Sequence, residues 1–357
     1  MEKDENLFKY GNGDFWNNPH EIKPQESEIK EPNKTRVRRI TRNYTAINQA
    51  HQWEPRHFQK ILNKGIELMN IPTGYKGTGR PSIPISEKIK ICCTKSYHLK
   101  GGRNSVYYVE NARNNGYIFI PKISENYFNR INDYMDDSGL TQYLQQLVHI
   151  TAEPFSKIDD CFALDGTGIK TSSGKRRYLD IRTDRKKKRE YVGLHIIAGV
   201  KSHVIAHAIV SKGHVHDNNF FKPLISEARK IFNIKEVYAD SAYLSKENSK
   251  FCQSLEIKDY TKPKENTVVK GLRNSPFAKS VQRYYEDLEL KEYRRYPLRA
   301  NVECTFDMLK SLFSDTLRHK KWDARVNELL CRVICHNIRC LVLAYYHGHI
   351  EFPFALY

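Results

Sequence analysis

A change in the residue pattern at Ile158 constrains the fold more than any other feature of the sequence. From there on, short apolar and β-branched runs alternate with helical segments in the order strand, strand, strand, helix, strand, helix, strand. The second and third runs, "YVGLHIIAGV" and "HVIAHAIVSKG", are separated by a Lys201-Ser202 turn and predict a β-hairpin. Strands followed by alternating helices and strands predict an α/β fold for this part of the chain.

Two acids close apolar runs in this region. Asp165 ends "CFALD" and Asp240 ends "IKEVYAD", and each is followed by a small residue, Gly166 or Ser241. Strand ends at one edge of a sheet direct side chains into a shared crevice. With Glu303 on a predicted helix, three carboxylates from separate elements could hold two hard divalent ions, Mg²⁺ or Mn²⁺. Two such ions can clamp the attacking and leaving oxygens of a phosphodiester.

The segment "YPLRANVECTFDMLK" places four polar side chains on one helical stripe. Tyr296, Arg299, Glu303 and Lys310 are separated by 3, 4 and 7 residues. On a helix these steps keep them within an arc of roughly 60°. Beside a metal site, the two cations could bind phosphate oxygens and the tyrosine could contact a sugar or base. The alternative is an ordinary amphipathic helix with charge pairs on its solvent-exposed face.

The chain carries a large positive charge. Among its 357 residues, 59 are Lys or Arg and 41 are Asp or Glu, which gives a formal net charge of +18. Such a charge favours a polyanionic partner, and nucleic acid is the commonest one. We find no apolar run of about 18 residues and no N-terminal signal pattern. We therefore expect a cytosolic protein that binds DNA or RNA and has no membrane partner.

The region before Ile158 is predicted to be basic and then helical. Residues 1–45 indicate a disordered basic tail, whose end is either solvated or a DNA-contacting arm. Residues 46–157 indicate a helical region, with four short helices after a Gly/Pro linker. A glycine turn between the first two is typical of a helix-turn-helix-like DNA-binding module, although a plain helical domain would look similar. The basic residues at the end of the tail and in the linker are Lys34, Arg36, Arg38, Arg39, Arg42 and Arg80.

These motifs together resemble one large branch of insertion-sequence DDE transposases. The stripe fits that family's Tyr-x2-Arg-x3-Glu-x6-Lys signature with every spacing intact. "ALDGTGIK" and "VYADSAY" look like its first and second aspartate motifs, and "GHVHDNNFFKPLI" is similar to the segment between them. The three acids follow in the family's order, with gaps of 75 and 63 residues. The resemblance covers about residues 158–345.

The resemblance implies an RNase H-like catalytic domain at 158–345, a mixed sheet flanked by helices, with a short insertion at about 264–295 and a C-terminal tail at 346–357. It also implies cleavage of the element's terminal inverted repeats, transfer of the freed 3′-OH into target DNA, and a homodimer on double-stranded DNA without a nucleotide cofactor. The expected location is the cytoplasm of a prokaryote, at the nucleoid. The implied catalytic, metal-holding acids are Asp165, Asp240 and Glu303, with two ions per site, and the implied DNA contacts are Tyr296, Arg299 and Lys310.

Other polar residues near these motifs are predicted to have structural roles. We expect Asp159 and Asp160 to begin the first strand in solvent. We expect Asp217 to cap the helix that follows it, in preference to a metal role. His214 and His216 are expected to be structural or DNA-facing, because a two-metal site needs no histidine base. The short insertion leaves open whether cleavage passes through a hairpin-ended intermediate.

Two further patterns have a structural and a functional interpretation. Segment 175–189 contains nine Lys and Arg residues and is either a solvated face or a DNA contact. The group Cys331, Cys335, His336 and Cys340 could hold zinc, but its i, i+4 cysteines fit the buried face of an apolar helix. Two alternatives to an active transposase remain: a catalytically silent DNA-binding protein derived from one, and a nuclease acting on RNA–DNA hybrids.

Overall fold

Ten α-helices and six strands make up the described part of the chain. The computed structural model describes residues 43–72, 82–99, 103–124, 126–171, 191–213, 215–265, 267, 274–290 and 294–350. The helices are α1 Tyr44–Leu68, α2 Ile85–His98, α3 Asn104–Asn114, α4 Tyr127–Met135, α5 Leu140–Ala152, α6 Phe221–Ala228, α7 Lys246–Ser254, α8 Pro276–Glu289, α9 Ala300–Phe313 and α10 Trp322–Tyr346. The strands are β1 Cys161–Thr171, β2 Tyr191–Gly199, β3 Ile205–Lys212, β4 Glu236–Ala239, β5 Lys258–Thr261 and β6 Thr316–Leu317.

The strands form one mixed sheet in the order β3-β2-β1-β4-β5, with β6 also paired to β1. The β1–β2 and β2–β3 pairs are antiparallel, whereas β4 and β6 run parallel to β1, and β5 runs parallel to β4. The predicted element order and the β2–β3 hairpin are both confirmed. A mixed sheet flanked by helices and preceded by an all-α region is the predicted RNase H-like architecture.

The first strand is longer than predicted. We expected it to end at Asp165, but it continues to Thr171, because Thr167 and Gly168 pair with Leu194 and Gly193 of β2. What ends near Asp165 is the parallel ladder between β1 and β4, whose last pair is Leu164 and Ala239. Asp165 and Asp240, the next residues on each strand, therefore leave this ladder at the same level.

Helix α10 is the centre of the hydrophobic core. It packs against α1, α2, α5 and β3. The Asn337 side chain accepts a hydrogen bond from the Ile205 amide and donates one to the Ile205 carbonyl, both at 2.9 Å, so α10 is fixed to the start of β3. By length and composition α10 could span a bilayer, which corrects our expectation of no such segment. However, 78% of its apolar window is buried inside the protein, as in a core helix.

The N-terminal helices share this core and add a smaller one. Helix α1 lies largely in the predicted helical region 46–157, ahead of the four helices that we predicted individually, and it contributes Phe58, Ile61 and Leu62 to the main core. A second cluster joins α2, α3 and α4. Its members are Ile91, Val109, Ala112, Ile118, Ile120, Tyr127 and Ile131. Because α1, α2 and α5 contribute to the same core as the sheet, the helical region is packed onto the sheet domain.

Several predictions fall outside the described residues. These concern the tail as far as residue 42, the linker with Arg80, the glycine turn at 101–102, the basic segment 175–189, His214 and the chain end from 351. The predicted insertion at about 264–295 is described in part, and it contains α8.

Candidate active site

Three carboxylates from three separate elements meet around one guanidinium group. Arg299 precedes α9, at the end of a short 3-10 turn that begins at Tyr296. Its Nη2 atom lies 3.2 Å from Asp165 Oδ2 and 4.0 Å from Asp240 Oδ2, and its Nη1 atom lies 2.7 Å from Glu303 Oε1. The structure thus brings Asp165, Asp240 and Glu303 together, although their assignment as catalytic acids stays a prediction.

The two aspartates are held in the same way. The amide of Gly166 donates to Asp165 Oδ1 at 2.8 Å, and the amide of Ser241 donates to Asp240 Oδ1 at 2.7 Å. Each carboxylate therefore uses one oxygen to accept a bond from the next residue's backbone and turns the other, Oδ2, toward Arg299. This shared geometry fixes both side chains before any ligand arrives, since their rotamers are set by backbone donors.

Exposure increases across the cluster from the sheet to the helix. The side chain of Asp165 is 19% exposed, that of Asp240 is 45% exposed and that of Glu303 is 54% exposed. Burial raises the pKa of Asp165 above its ordinary value, against the opposing effects of the Gly166 amide and Arg299. The site is therefore an open crevice with its most desolvated carboxylate on the sheet.

The remaining two residues of the stripe contact neighbouring elements, Lys310 on β1 and Tyr296 on α8. Lys310 Nζ donates to Thr167 Oγ1 at 2.7 Å, two residues along β1 from Asp165. Tyr296 packs edge-to-face on Tyr284, with the ring centroids 5.0 Å apart. Burial raises the pKa of Tyr296 to about 12, with Arg299 opposing the shift. The tyrosine is therefore a neutral phenol at neutral pH. No observed contact tests the predicted DNA-binding roles of Tyr296, Arg299 and Lys310.

A fourth acid beside the cluster was assigned the wrong role. The N-cap positions of the turn Asp217–Phe220 and of α6 are His216 and Phe220, so Asp217 caps neither. Instead, its Oδ1 lies 3.3 Å from Nδ1 of the buried His195, whose Nε2 lies 2.9 Å from Ser211 Oγ. A Cβ atom on Gly166 would come within 2.8 Å of Asp217 Oδ1 and 2.7 Å of His195 Nδ1. The residue after Asp165 is therefore glycine because this pair packs against its backbone.

Asp159 also differs from the prediction. It is 2% exposed rather than solvated, and it accepts bonds from the Lys201 amide at 2.9 Å and from the Ser202 hydroxyl. It therefore holds the turn of the β2–β3 hairpin. Asp160 is partly exposed and pairs with Lys201 and Lys235, closer to the predicted position in solvent.

The cysteine group of α10 lies in the core, as predicted for an apolar helix face. Cys331, Cys335 and Cys340 are all buried. The sulfur of Cys331 faces that of Cys93 at 3.8 Å, and His336 Nε2 bonds to the His203 carbonyl oxygen at 2.9 Å.

The fold and the carboxylate crevice define an enzyme with an RNase H-like core. The family model for the transposase DDE domain matches residues 156–338, half of the chain, and the protein belongs to the insertion-sequence DDE transposase family. No curated protein and no solved structure matches the chain. The matched span contains Asp165, Asp240, Glu303 and the whole stripe, and members of this family generally use divalent metal ions.

The residues at the crevice fit such ions. All three donors are carboxylates, the oxygen ligands that Mg²⁺ and Mn²⁺ prefer. One cationic group, the Arg299 guanidinium, already lies against all three. The cluster is therefore arranged to surround positive charge.

Proposed function

We propose that the protein is an active insertion-sequence transposase, which cleaves DNA at the ends of its element and joins the freed 3′-OH to target DNA. The observation that carries this proposal is the convergence of Asp165, Asp240 and Glu303 on one point, from β1, from the end of β4 and from α9. The three are separated along the chain by 75 and 63 residues, so only the fold brings them together.

Asp165, Asp240 and Glu303 would hold two Mg²⁺ or Mn²⁺ ions. When bound, such a pair activates the attacking oxygen and stabilises the leaving oxygen of an in-line displacement. In the first step water attacks the phosphodiester at the element end, and the P–O3′ bond breaks to leave a 3′-OH. In the second step that 3′-OH attacks a phosphodiester of the target, and the target's own P–O3′ bond breaks and leaves a 3′-OH on the target strand. One phosphodiester replaces another, so neither step consumes a nucleotide cofactor.

The other residues of the stripe would position DNA. Arg299 is long enough to leave the carboxylates when a metal ion replaces it, and its planar guanidinium matches a phosphate group. Lys310 presents a point charge beside β1, held by Thr167 at 2.7 Å. Tyr296 begins the turn that precedes α9. It is a neutral phenol, suited to stacking on a sugar or base near the cleaved end.

The remaining assignments follow from the same proposal. The helical region 46–157 would bind the terminal repeats, residues 1–45 would form a basic tail, and 158–345 would be the catalytic domain. A homodimer on DNA would process both element ends together. The net charge of +18 supports binding to double-stranded DNA in the cytoplasm, at the nucleoid.

The test is a cleavage and strand-transfer assay with DNA that carries the inverted repeats flanking the gene, in the presence of Mg²⁺. Asp240→Asn keeps the size of the side chain and removes its charge, and we expect it to lower cleavage at least about 100-fold. Asp307→Asn is the matched control, because Asp307 is an exposed acid on α9, one turn beyond Glu303. We expect this control to cleave like the wild type.

Three outcomes would reject the proposal. Equal cleavage by the wild type and Asp240→Asn would show that the carboxylate cluster is not the active site. Tight binding to the repeats with no cleavage by the wild type would favour the catalytically silent DNA-binding protein. Cleavage restricted to RNA–DNA hybrids would favour the hybrid nuclease.

A further inference from the structure

A second cluster of metal-ligating side chains lies away from the carboxylate crevice. It consists of His149 on α5, His207 on β3 and Glu227 on α6. One ligand atom from each residue lies within 4.8 Å of the other two. The two imidazoles are in direct contact, with His149 Nε2 and His207 Nδ1 separated by 2.9 Å. These residues come from three elements, and none belongs to the active-site cluster.

The cluster lies at the free edge of the sheet. Strand β3 is last in the strand order, and both α5 and α6 pack against it. Gln145 of α5 donates to the Ala208 carbonyl at 2.9 Å, so α5 already covers part of this edge. A metal ion held by His149, His207 and Glu227 would link the last helix of the N-terminal region to the edge of the sheet.

The chemistry of the donors selects the kind of ion. Two imidazole nitrogens and one carboxylate oxygen form a donor set typical of Zn²⁺ and Co²⁺, whereas Mg²⁺ prefers oxygen ligands alone. Burial lowers the pKa of His149, and burial together with the proximity of His149 lowers the pKa of His207 to about 4. Both rings are therefore neutral at pH 7. The nitrogen that donates the present His149–His207 hydrogen bond must pass its proton to the other nitrogen of its ring before both can offer a lone pair to a metal.

The ligand atoms already lie near the separations of a zinc site, since all three are within 4.8 Å of one another. In a tetrahedral zinc site with bonds of about 2.0–2.1 Å, neighbouring ligand atoms lie roughly 3.3 Å apart. The two imidazole nitrogens are now slightly closer than that, and the carboxylate lies within a side-chain rotation. Lys230 is the competitor, since its Nζ lies 2.7 Å from both oxygens of Glu227. Its side chain is 62% exposed, so it can move away at little cost.

We infer that His149, His207 and Glu227 form a structural binding site for one zinc-class transition-metal ion, with a fourth position open to water. The site is separate from the carboxylate crevice in location and in donor chemistry. It fastens α5 and α6 to the edge strand β3, so its expected effect is on stability rather than on cleavage.

The experiment measures zinc binding to the full chain after treatment with a chelator and dialysis. We expect calorimetry to give one equivalent of Zn²⁺ that depends on this cluster, and Co²⁺ to give visible d–d absorption of a tetrahedral site. Zinc at 100 times its Kd should raise the Tm by about 4 °C. His149→Gln and Glu227→Gln should each weaken binding by at least about 10-fold. Circular dichroism melts without metal would show that both variants fold.

Two lysine variants on or near α6 make the test specific. Lys230→Ala removes the competing cation, so we expect zinc to bind more tightly than to the wild type. Lys222→Ala removes a lysine of α6 that pairs instead with Glu247, so we expect no change. The inference is overturned if the wild type takes up no zinc. It is also overturned if His149→Gln and Glu227→Gln bind zinc as tightly as the wild type, which would place the ion at cysteines or at the carboxylate crevice.

Discussion

Asp165 and Arg299, 134 residues apart in the chain, form an ion pair of 3.2 Å at the centre of the candidate active site. The same guanidinium also lies against Asp240 and Glu303, so one cation compensates three carboxylates. On the proposed function, a divalent ion that binds these acids would displace Arg299. The Arg299 guanidinium would then be free to bind a phosphate group, which would link its predicted DNA contact to the ion pairs that it forms with the acids.

Arg299→Gln should expose this competition. We expect the metal-free variant to lose about 1–2 kcal/mol of stability, because three neighbouring carboxylates lose their shared cation at a partly solvated site. Mg²⁺ should raise its Tm more than that of the wild type, since no guanidinium has to be displaced. Thermal melts with and without Mg²⁺ measure both effects.

The control for this substitution is Arg130→Gln, because Arg130 is an exposed arginine on α4. It should change neither the stability nor the response to Mg²⁺. Identical Mg²⁺ responses of Arg299→Gln and the wild type would contradict the competition between Arg299 and the metal.

Gly166→Ala should damage the site through packing alone. The added methyl group would lie 2.7 Å from His195 Nδ1 and 2.8 Å from Asp217 Oδ1. We expect a loss of roughly 1–3 kcal/mol and slower cleavage, because Asp165 is held by the Gly166 amide. Gly168→Ala is the control on the same strand, where the neighbouring atoms belong to the exposed Tyr191 side chain and can move aside. Chemical denaturation measures the free energy of unfolding of both variants. Equal values would show that the His195 and Asp217 side chains move aside at no cost.

The element order could be read from the sequence because apolar runs and helical periods are local signals. The end of β1 could not, because "GTG" has the composition of a turn and only the distant partner strand β2 keeps it extended. The convergence of the three acids depended on the register of β1 and β4. The last residue pair of that ladder is Leu164 and Ala239. Periodicity gives the face of a strand but not its register with a neighbour.

Polar contacts between distant segments were the other feature that could not be predicted from the sequence. The stripe from Tyr296 to Lys310 was visible, yet nothing local indicated that Arg299 would pair with Asp165, or that Lys310 would reach Thr167. Asp159 and Asp217 were misassigned for the same reason. Their partners, Ser202 and His195, are 43 and 22 residues away, whereas the capping and solvent-exposed roles that we predicted involve only near neighbours.

Lys310→Ala should weaken binding to all DNA sequences by a similar factor. Loss of one phosphate contact should reduce the slope of log K against log salt by about 0.9. Thr167→Val is the matched control, because it removes the hydroxyl that holds Lys310 Nζ but keeps the charge. Fluorescence anisotropy over a series of salt concentrations measures both slopes. An unchanged slope for Lys310→Ala would remove this lysine from the DNA interface.

Asp159→Asn should change how stability depends on pH. Burial raises the pKa of Asp159 from 3.8 to about 6, with the Ser202 hydrogen bond opposing the shift. Because the folded state holds this proton more tightly than the unfolded state, the stabilisation is complete below the unfolded pKa and is lost as the pH rises through about 6. The loss amounts to about 3 kcal/mol. Asparagine keeps an acceptor for the Lys201 amide but does not ionise, so the variant should lack this decline. Urea denaturation from pH 4 to pH 7 would show the wild type losing stability relative to Asp159→Asn, and parallel curves would mean that Asp159 does not titrate in this range.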